Sequence, residues 1–544
     1  VQRKWPNAVD TYRTLWGFFS DNIEYGLHLA ASQTAAGQPK EALKTVAALR
    51  ELRAPDNQDP RIDLEEVQAN SAMGDYQRES VAIQQAVRHA EASGARLVLA
   101  RTRLLEGRSY YNRGQFGPAQ QALDQAQQMF LEAGDRASAA TALNSLASVL
   151  SDQQDLPRSE RMYRQALSVS EEIGDRRAMS AALNNLGILL KDERRFDEAR
   201  QIHERALAIR REIADQAGTA LSLSSIGVVL FQQDRYREAA TYYQQSLAIA
   251  REIDDRRGQV RALHNLAIVD RFLGNLSAAR AAYEESLATR EQLGDKRGTV
   301  AGRLELGMVQ LAQGEIDRAR RTEETALALA RDMRLKPAET MALFQLGEIA
   351  LASGDLAAAR KFHEQALTIR REMKETRTVF ESRLALAMVA LEEGHTAEAA
   401  REAQDIESAL ESGVDPATHI TVAVLLARAQ LASGQTEPAS RELAAVRALA
   451  EKVEEIDLRE LFILTDAELD AAQGRTDRAR ERLIAERPVL ARAGMVLAGF
   501  EYRAALLRLD QLEGRSTVRA EANALQKDAR AKGAGLILRR LQSL

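Results

Sequence analysis

The chain has 544 residues, and Asp and Glu outnumber Lys and Arg by 79 to 74, for a formal charge of −5. A balance this even argues against a nucleic-acid surface spread over the whole molecule. Zero cysteines exclude disulfides, thiolate metal sites and cysteine nucleophiles, and with 45% hydrophobic residues but only 12 Phe, 11 Tyr and 2 Trp the composition leans to helix formers.

At the start, Val1 is not an initiator Met, and Val1 to Lys4 lack the apolar core of a signal peptide, so the chain is expected to be a piece of something longer. Residues 8–25 read as the second helix of a hairpin whose first helix is missing. Asp21-Asn22 then precede a helix from Ile23 to Ala36. Trp5, Trp16, Phe18 and Phe19 crowd this end, either as a cap over the first hairpin or as a former contact with an upstream domain. Residues 1–36 are therefore expected to be an N-terminal capping region and first helix, truncated from a longer protein.

Residues 37–514 repeat every forty residues. Gly107, Ala147, Gly187, Gly227, Ala267, Gly307, Gly347, Ala387, Ala427 and Ala467 form one small column, and Ala119, Ser159, Ala199, Ala239, Ala279, Ala319, Ala359, Ala399, Ala439 and Ala479 a second. A third column marks turns: Gly114, Gln154, Arg194, Asp234, Gly274, Gly314, Gly354, Gly394, Gly434, Gly474 and Gly514, with Gly74 and Gly37 before it. Between them, apolar residues such as Leu183, Leu186 and Leu190 recur at helical steps, and Phe196, Ala199, His203, Ala206 and Leu207 form the stripe of a second helix. Each unit is thus a helix hairpin. Pro118, Pro157 and Pro438 fall in the first turn after the loop, where no helical hydrogen bond is lost. Gly134-Asp135, Gly174-Asp175 and Gly294-Asp295 supply a helix end and the next helix's cap. The small columns are needed where helices cross closely, and stacked hairpins then share one core.

These residues resemble the tetratricopeptide repeat. Asn184-Asn185-Leu186-Gly187, Phe196-Asp197-Glu198-Ala199 and Arg205-Ala206-Leu207 look like its signature, which returns at His264-Asn265-Leu266-Ala267. The forty-residue spacing resembles the longer-helix variety of kinesin light chains and spindle-orientation adaptors. The expected fold is all-α, a right-handed α-solenoid of about thirteen stacked helix hairpins. Residues 515–544 are expected to form C-terminal capping helices. The two ends look similar to the C-terminal repeat regions of bacterial multidomain signalling proteins, in which a kinase or winged-helix module precedes the repeats.

Chemistry is sparse along the chain. The longest strongly apolar stretch, Ile420 to Ala427, is far short of the roughly 20 residues a membrane span requires, so no membrane insertion is expected and the chain reads as soluble, its compartment undetermined. His203 and His363 share a column with Tyr163, Tyr243 and Tyr283 and read as packing residues. His363-Glu364 begins like a zinc-protease helix, but Leu367 stands where the second ligand belongs, and no metal site or cofactor is predicted. Basic pairs such as Arg176-Arg177 and Arg256-Arg257 are interleaved with acids, as on solvated helix faces, and no nucleic-acid partner is expected. No nucleophile and base, metal or cofactor constellation emerges, so the chain is read as non-enzymatic.

One face remains. On each first helix the residues opposite the core stripe form a ladder, Ser145, Asn185, Ser225, Asn265, Glu305 and Gln345, with Asn144, Asn184 and His264 beside it and Lys191, Arg261 and Arg271 nearby. Asn offers both a donor and an acceptor, which suits recognition of an extended backbone. The tetratricopeptide resemblance implies the same inner surface. The expected partner-binding groove is therefore Asn144, Asn184, Asn185, Lys191, Ser225, Arg261, His264, Asn265, Arg271, Glu305 and Gln345. From Gly347 onward the face turns apolar, with Leu351, Met388 and Leu391, and suits an amphipathic helix. The resulting reading is a non-catalytic scaffold holding a peptide or protein segment, as the sensing or docking arm of a larger signalling protein. A module that self-assembles into homo-oligomers through its terminal repeats, or a small-molecule sensor, are the alternatives.

Overall fold

The computed structural model describes residues 5–409 and 416–542. The readings of Val1 to Lys4, and of the last two residues before the C-terminus, lie outside them. Among the described residues there are 28 α-helices, one 3-10 turn at Asp56–Gln58 and no strand.

Helix α1 (Trp5–Phe18) stands first, and thirteen helix pairs follow. They are α2 (Ile23–Ala35) with α3 (Pro39–Arg50), α4 (Pro60–Met73) with α5 (Tyr76–Ala92), α6 (Arg96–Asn112) with α7 (Phe116–Glu132), and α8 (Arg136–Asp152) with α9 (Leu156–Glu172). Next come α10 (Arg176–Asp192) with α11 (Phe196–Glu212), α12 (Gln216–Gln232) with α13 (Tyr236–Glu252), and α14 (Arg256–Phe272) with α15 (Leu276–Leu293). Then α16 (Lys296–Ala312) joins α17 (Ile316–Asp332), α18 (Lys336–Ala352) joins α19 (Leu356–Glu372), and α20 (Thr376–Glu392) joins α21 (Thr396–Ala409). The last pairs are α22 (Pro416–Ala432) with α23 (Thr436–Ala450), α24 (Ile456–Ala472) with α25 (Thr476–Ala493), and α26 (Val496–Leu512) with α27 (Val518–Lys532). Helix α28 (Gly535–Leu541) closes the chain.

The forty-residue columns have physical causes. Every residue of the turn column from Gly114 to Gly514 is in the left-handed region, including the three that are not glycine, Gln154, Arg194 and Asp234, at φ of 63°, 60° and 58°. Between pairs, Asp135, Asp175 and Asp295 cap the next helix; Asp175, for example, accepts from the backbone N–H of Arg177 and Ala178 at 3.0 Å. The first small column faces the residue sixteen positions later on the second helix. A Cβ on Gly187 would lie 2.6 Å from the His203 ring, and one on Gly107 2.6 Å from Leu123. His203 and His363 are 1% and 0% exposed in this packing column, and burial, with Arg210 and Lys191 adding to it at His203 and Arg370 at His363, lowers both pKa values to about 4.

The chain divides into two compact units, Val1–Val229 and Leu230–Leu544, with the division inside α12. In the first unit, Trp16 of α1 presses on Gly26 and Leu49 and covers the first pair, while Phe18 and Phe19 stay 79% and 53% exposed. Asn22 caps α2, accepting from Glu24 and Tyr25 N–H at 3.1 and 3.3 Å.

In the second unit the late helices return to the turns of earlier pairs. The start of α24 meets the α14–α15 turn, where a Cβ on Gly274 would lie 2.5 Å from Ile456. The start of α26 meets the α16–α17 turn through Val496, 2.9 Å from a Cβ on Gly314. The start of α28 meets the α18–α19 turn, where a Cβ on Gly354 would be 2.7 Å from the Gly535 carbonyl carbon. The turns advance by forty and the returning residues by forty and thirty-nine, so successive contacts nearly keep register. Two shared cores seal the contact: Ile456, Leu464 and Met495 pack with Leu263, Leu276 and Tyr283, and Phe500, Leu507, Ile537 and Leu541 pack with Ile316 and Ile349. Glu454 adds an ion pair to Arg237 at 2.8 Å and accepts from the Tyr236 N–H at 3.2 Å.

Candidate interaction surface

On α10 the residues left exposed by neighbouring helices are Arg176, Arg177, Ala181, Ile188 and Asp192, with Asn185 half-buried among them. Ile188 is 42% exposed, an unusual fraction for a helix so rich in core leucines. The neighbouring amides are linked: Asn185 Nδ2 donates to Asn144 Oδ1 of α8 at 3.3 Å, and Asn184 Nδ2 donates to Asn185 Oδ1 at 3.4 Å. Asn184 is itself buried at 7%, and its Oδ1 has no partner within the chain. Lys191 is held by Asp192 at 2.6 Å, and Ser225 is half-buried on α12. Asn144, Asn184, Asn185, Lys191 and Ser225 all belong to the first unit.

The same face in the first unit carries groups that sequence reasoning missed. Arg108 of α6 donates from Nε to Ser145 Oγ at 3.2 Å, and burial among the surrounding helices pulls its pKa below the ordinary arginine value. Glu65 of α4 precedes Leu105, Ser145 and Asn185 at forty-residue steps; burial raises its pKa to about 7, and its Oε2 has no hydrogen bond. The forty-residue step from the predicted ladder back through Leu105 to Glu65 was the signal available.

In the second unit, Arg261, His264 and Asn265 of α14 line one cavity of about 460 Å³ with Arg257, Val260, Arg290, Leu293, Gly294 and Asp295. Arg290 is paired with Asp295 at 2.9 Å, whereas Arg257 and Arg261 are exposed and make no ion pair among the described residues. Burial, with the Arg290 charge adding to it, lowers the His264 pKa to about 4, so the ring is neutral at physiological pH. Its Nδ1 has no partner, and its edge faces Tyr283 with ring centroids 5.8 Å apart.

The other three predicted residues are engaged within the fold. Arg271, only 12% exposed, lies 3.8 Å from Glu305 and 3.6 Å from Asp457 of α24, at the edge where the late helices return. Glu305 also accepts from the Tyr283 hydroxyl at 3.3 Å. Gln345 is 5% exposed, and with its amide nitrogen facing inward it donates to both Glu323 oxygens at 2.8 and 2.9 Å and to the Leu304 carbonyl at 3.1 Å. Glu323 takes the column position held elsewhere by Tyr163, His203 or Tyr283, and burial together with the Glu305 charge raises its pKa well above the usual carboxylate range. Of the apolar stretch expected beyond Gly347, Leu351 is buried at 9%, while Met388 and Leu391 are half-buried.

A family model described as tetratricopeptide repeat matches residues 138–212, 178–252, 218–292 and 259–332, and a second model of that description matches 342–376. This part of the chain is built of tetratricopeptide repeats. The matched repeats contain every predicted groove residue, Asn144 to Gln345. No curated protein matches the chain in sequence. Among solved structures, the apo form of RapI is 15% identical with a TM-score of 0.48, covering 65% of this chain and 98% of its own. A Rap protein complexed with competence and sporulation factor is 16% identical with a TM-score of 0.46 over the same shares of the two chains, 65% and 98%. A signal transduction ATPase with numerous domains and a tetratricopeptide repeat sensor, from Pyrococcus horikoshii, is 17% identical with a TM-score of 0.46 over 63% of this chain and 54% of that one. No described helix is long and apolar enough to cross a membrane.

Proposed function

We propose that the chain is a non-catalytic interaction scaffold that holds an extended peptide or protein segment on the inner faces of its first helices, as the sensing or docking arm of a larger regulatory protein. The observation that carries this reading is the cavity of about 460 Å³ on α14, because three residues singled out independently from the repeat, Arg261, His264 and Asn265, converge on it. A neutral imidazole, an amide and two unpaired guanidinium groups make a donor-rich, electropositive surface. Acidic segments with exposed backbone carbonyls suit it. In the first unit the chain of amides from Asn144 to Asn185 offers the same sequence-tolerant hydrogen bonding beside the exposed Ile188, which suits an apolar anchor.

The test is selection from a random peptide display library on the intact chain, followed by calorimetry of a recovered peptide on variants. Arg261→Met with Asn265→Ala is expected to weaken binding at least about tenfold, with the melting temperature nearly unchanged. A melting temperature that falls while affinity holds would make these residues structural and remove the proposal.

A further inference from the structure

A second cavity, of about 560 Å³, lies in the second unit and shares only Leu391 with the predicted first-helix face. Its walls come from α20, α22, α24, α25, α26 and α28. The position that is apolar at Ile188, Val228, Ile268, Met308 and Met388, and polar at Arg108, Ser148 and Glu348, is charged as Arg428, Glu468 and Arg508 on three successive first helices. The same cavity is lined by the apolar side chains of Leu391, Leu431, Leu483, Leu509 and Leu512.

The charges in this cavity are unevenly paired. Arg540 takes two carboxylates, with its Nε donating to Glu392 at 3.2 Å and its Nη1 donating to Glu501 at 3.2 Å. Glu392 also accepts from Arg540 Nη2, so both of its oxygens are engaged. Arg428 is left with Glu392 at 3.7 Å and Glu468 at 4.0 Å, and Arg508 with Glu468 at 3.6 Å. Neither forms a hydrogen bond among the described residues, although the Arg428 side chain is only 10% exposed. A guanidinium so buried has five donors to satisfy, and leaving them unmet is costly. Arg428 lines the cavity, so an acceptor bound there can reach it.

We infer that this cavity binds a small amphipathic carboxylate, whose head group sits between Arg428 and Arg508 and whose apolar chain lies along Leu391, Leu431 and Leu509. A carboxylate matches the paired N–H geometry of a guanidinium and supplies the acceptors these two arginines lack. The volume is within the range of small-ligand sites.

The probe is sodium octanoate, titrated calorimetrically into the intact chain, with 1-octanol and octyltrimethylammonium as chain-matched neutral and cationic controls. Octanoate is expected to bind saturably at one site and at least about tenfold more tightly than either control. Arg428→Met and Arg508→Met are each expected to weaken octanoate about tenfold and to leave octanol unchanged. Should Arg428→Met lose its helical circular dichroism, the more exposed Arg508→Met carries the test alone. Octanoate binding no tighter than octanol, or binding that a folded arginine variant leaves intact, would overturn the inference.

Discussion

Replacing Gly354 by Ala probes the return of α28 to the α18–α19 turn. Gly354 has a φ of +77°, so any side chain there meets left-handed strain of roughly 1–2 kcal/mol. Its Cβ would also stand 2.7 Å from the Gly535 carbonyl carbon and 3.0 Å from its oxygen. These are backbone atoms that cannot rotate away, and such overpacking adds about 1–3 kcal/mol. Gly394 is the control: its φ is +86°, but nothing lies within 4 Å of its Cβ, so Gly394→Ala bears only the strain. The two variants are expected to differ by about 1–3 kcal/mol, the overpacking contribution alone. Hydrogen exchange followed by mass spectrometry locates that difference. Amides of 535–541 are expected to exchange faster in Gly354→Ala and at the native rate in Gly394→Ala. Equal exchange of this segment in both variants would refute the packing of α28 on the turn.

Other consequences follow from particular residues. Ala214 holds a φ of 52° between α11 and α12, so Ala214→Gly should raise the unfolding midpoint in urea by about 1 kcal/mol of stability; a lower midpoint would show that the strain is absent. Gly187→Ala should cost about 1–3 kcal/mol because its Cβ meets the His203 ring, and adding His203→Ala should recover part of that loss rather than deepen it additively. Glu323 has its folded pKa raised well above the ordinary 4.5, so the folded chain holds that proton more tightly than the unfolded one. Its contribution is fully present at acidic pH and is lost as pH rises from about 4.5 toward the folded pKa. Glu323→Gln should therefore flatten the fall in urea midpoint over that window. An unchanged pH profile would mean that Glu323 is not the titrating group.

Local features of the fold could be read from the repeat because they obey its period. Every residue of the turn column from Gly114 to Gly514 is left-handed, even where Gln154, Arg194 or Asp234 replaces glycine. Asp175 and its counterparts cap helices as their position after a left-handed glycine implies. What escaped prediction depends on which parts of the winding chain meet. The return of Ile456, Val496 and Gly535 to the turns at Gly274, Gly314 and Gly354 links positions some 180 residues apart, a separation that no forty-residue column encodes. One clue was present: the turn column becomes uniformly glycine from Gly274 onward, and at the first three of these glycines a later segment of the same chain approaches too closely for a side chain.

The surface residues divide along the same line. Arg261, His264 and Asn265 share one helix, so helical spacing alone placed them together. Arg271 has the same periodic credentials, yet Asp457 from a distant pair engages it. Gln345 continues the Asn185 ladder, but it is drawn inward because Glu323 has replaced an aromatic beneath it and requires a donor. Periodicity locates a side chain on a face and leaves open what its neighbours demand of it.

Hydrogen exchange of the intact chain with and without a display-selected peptide tests the central claim most directly. The account predicts slowed exchange on α8, α10 and α14, where Asn144, Asn185 and Asn265 lie, with the second helices of the same pairs unaffected. Protection confined to α1, α28 or the second helices would contradict it and place recognition on a different surface.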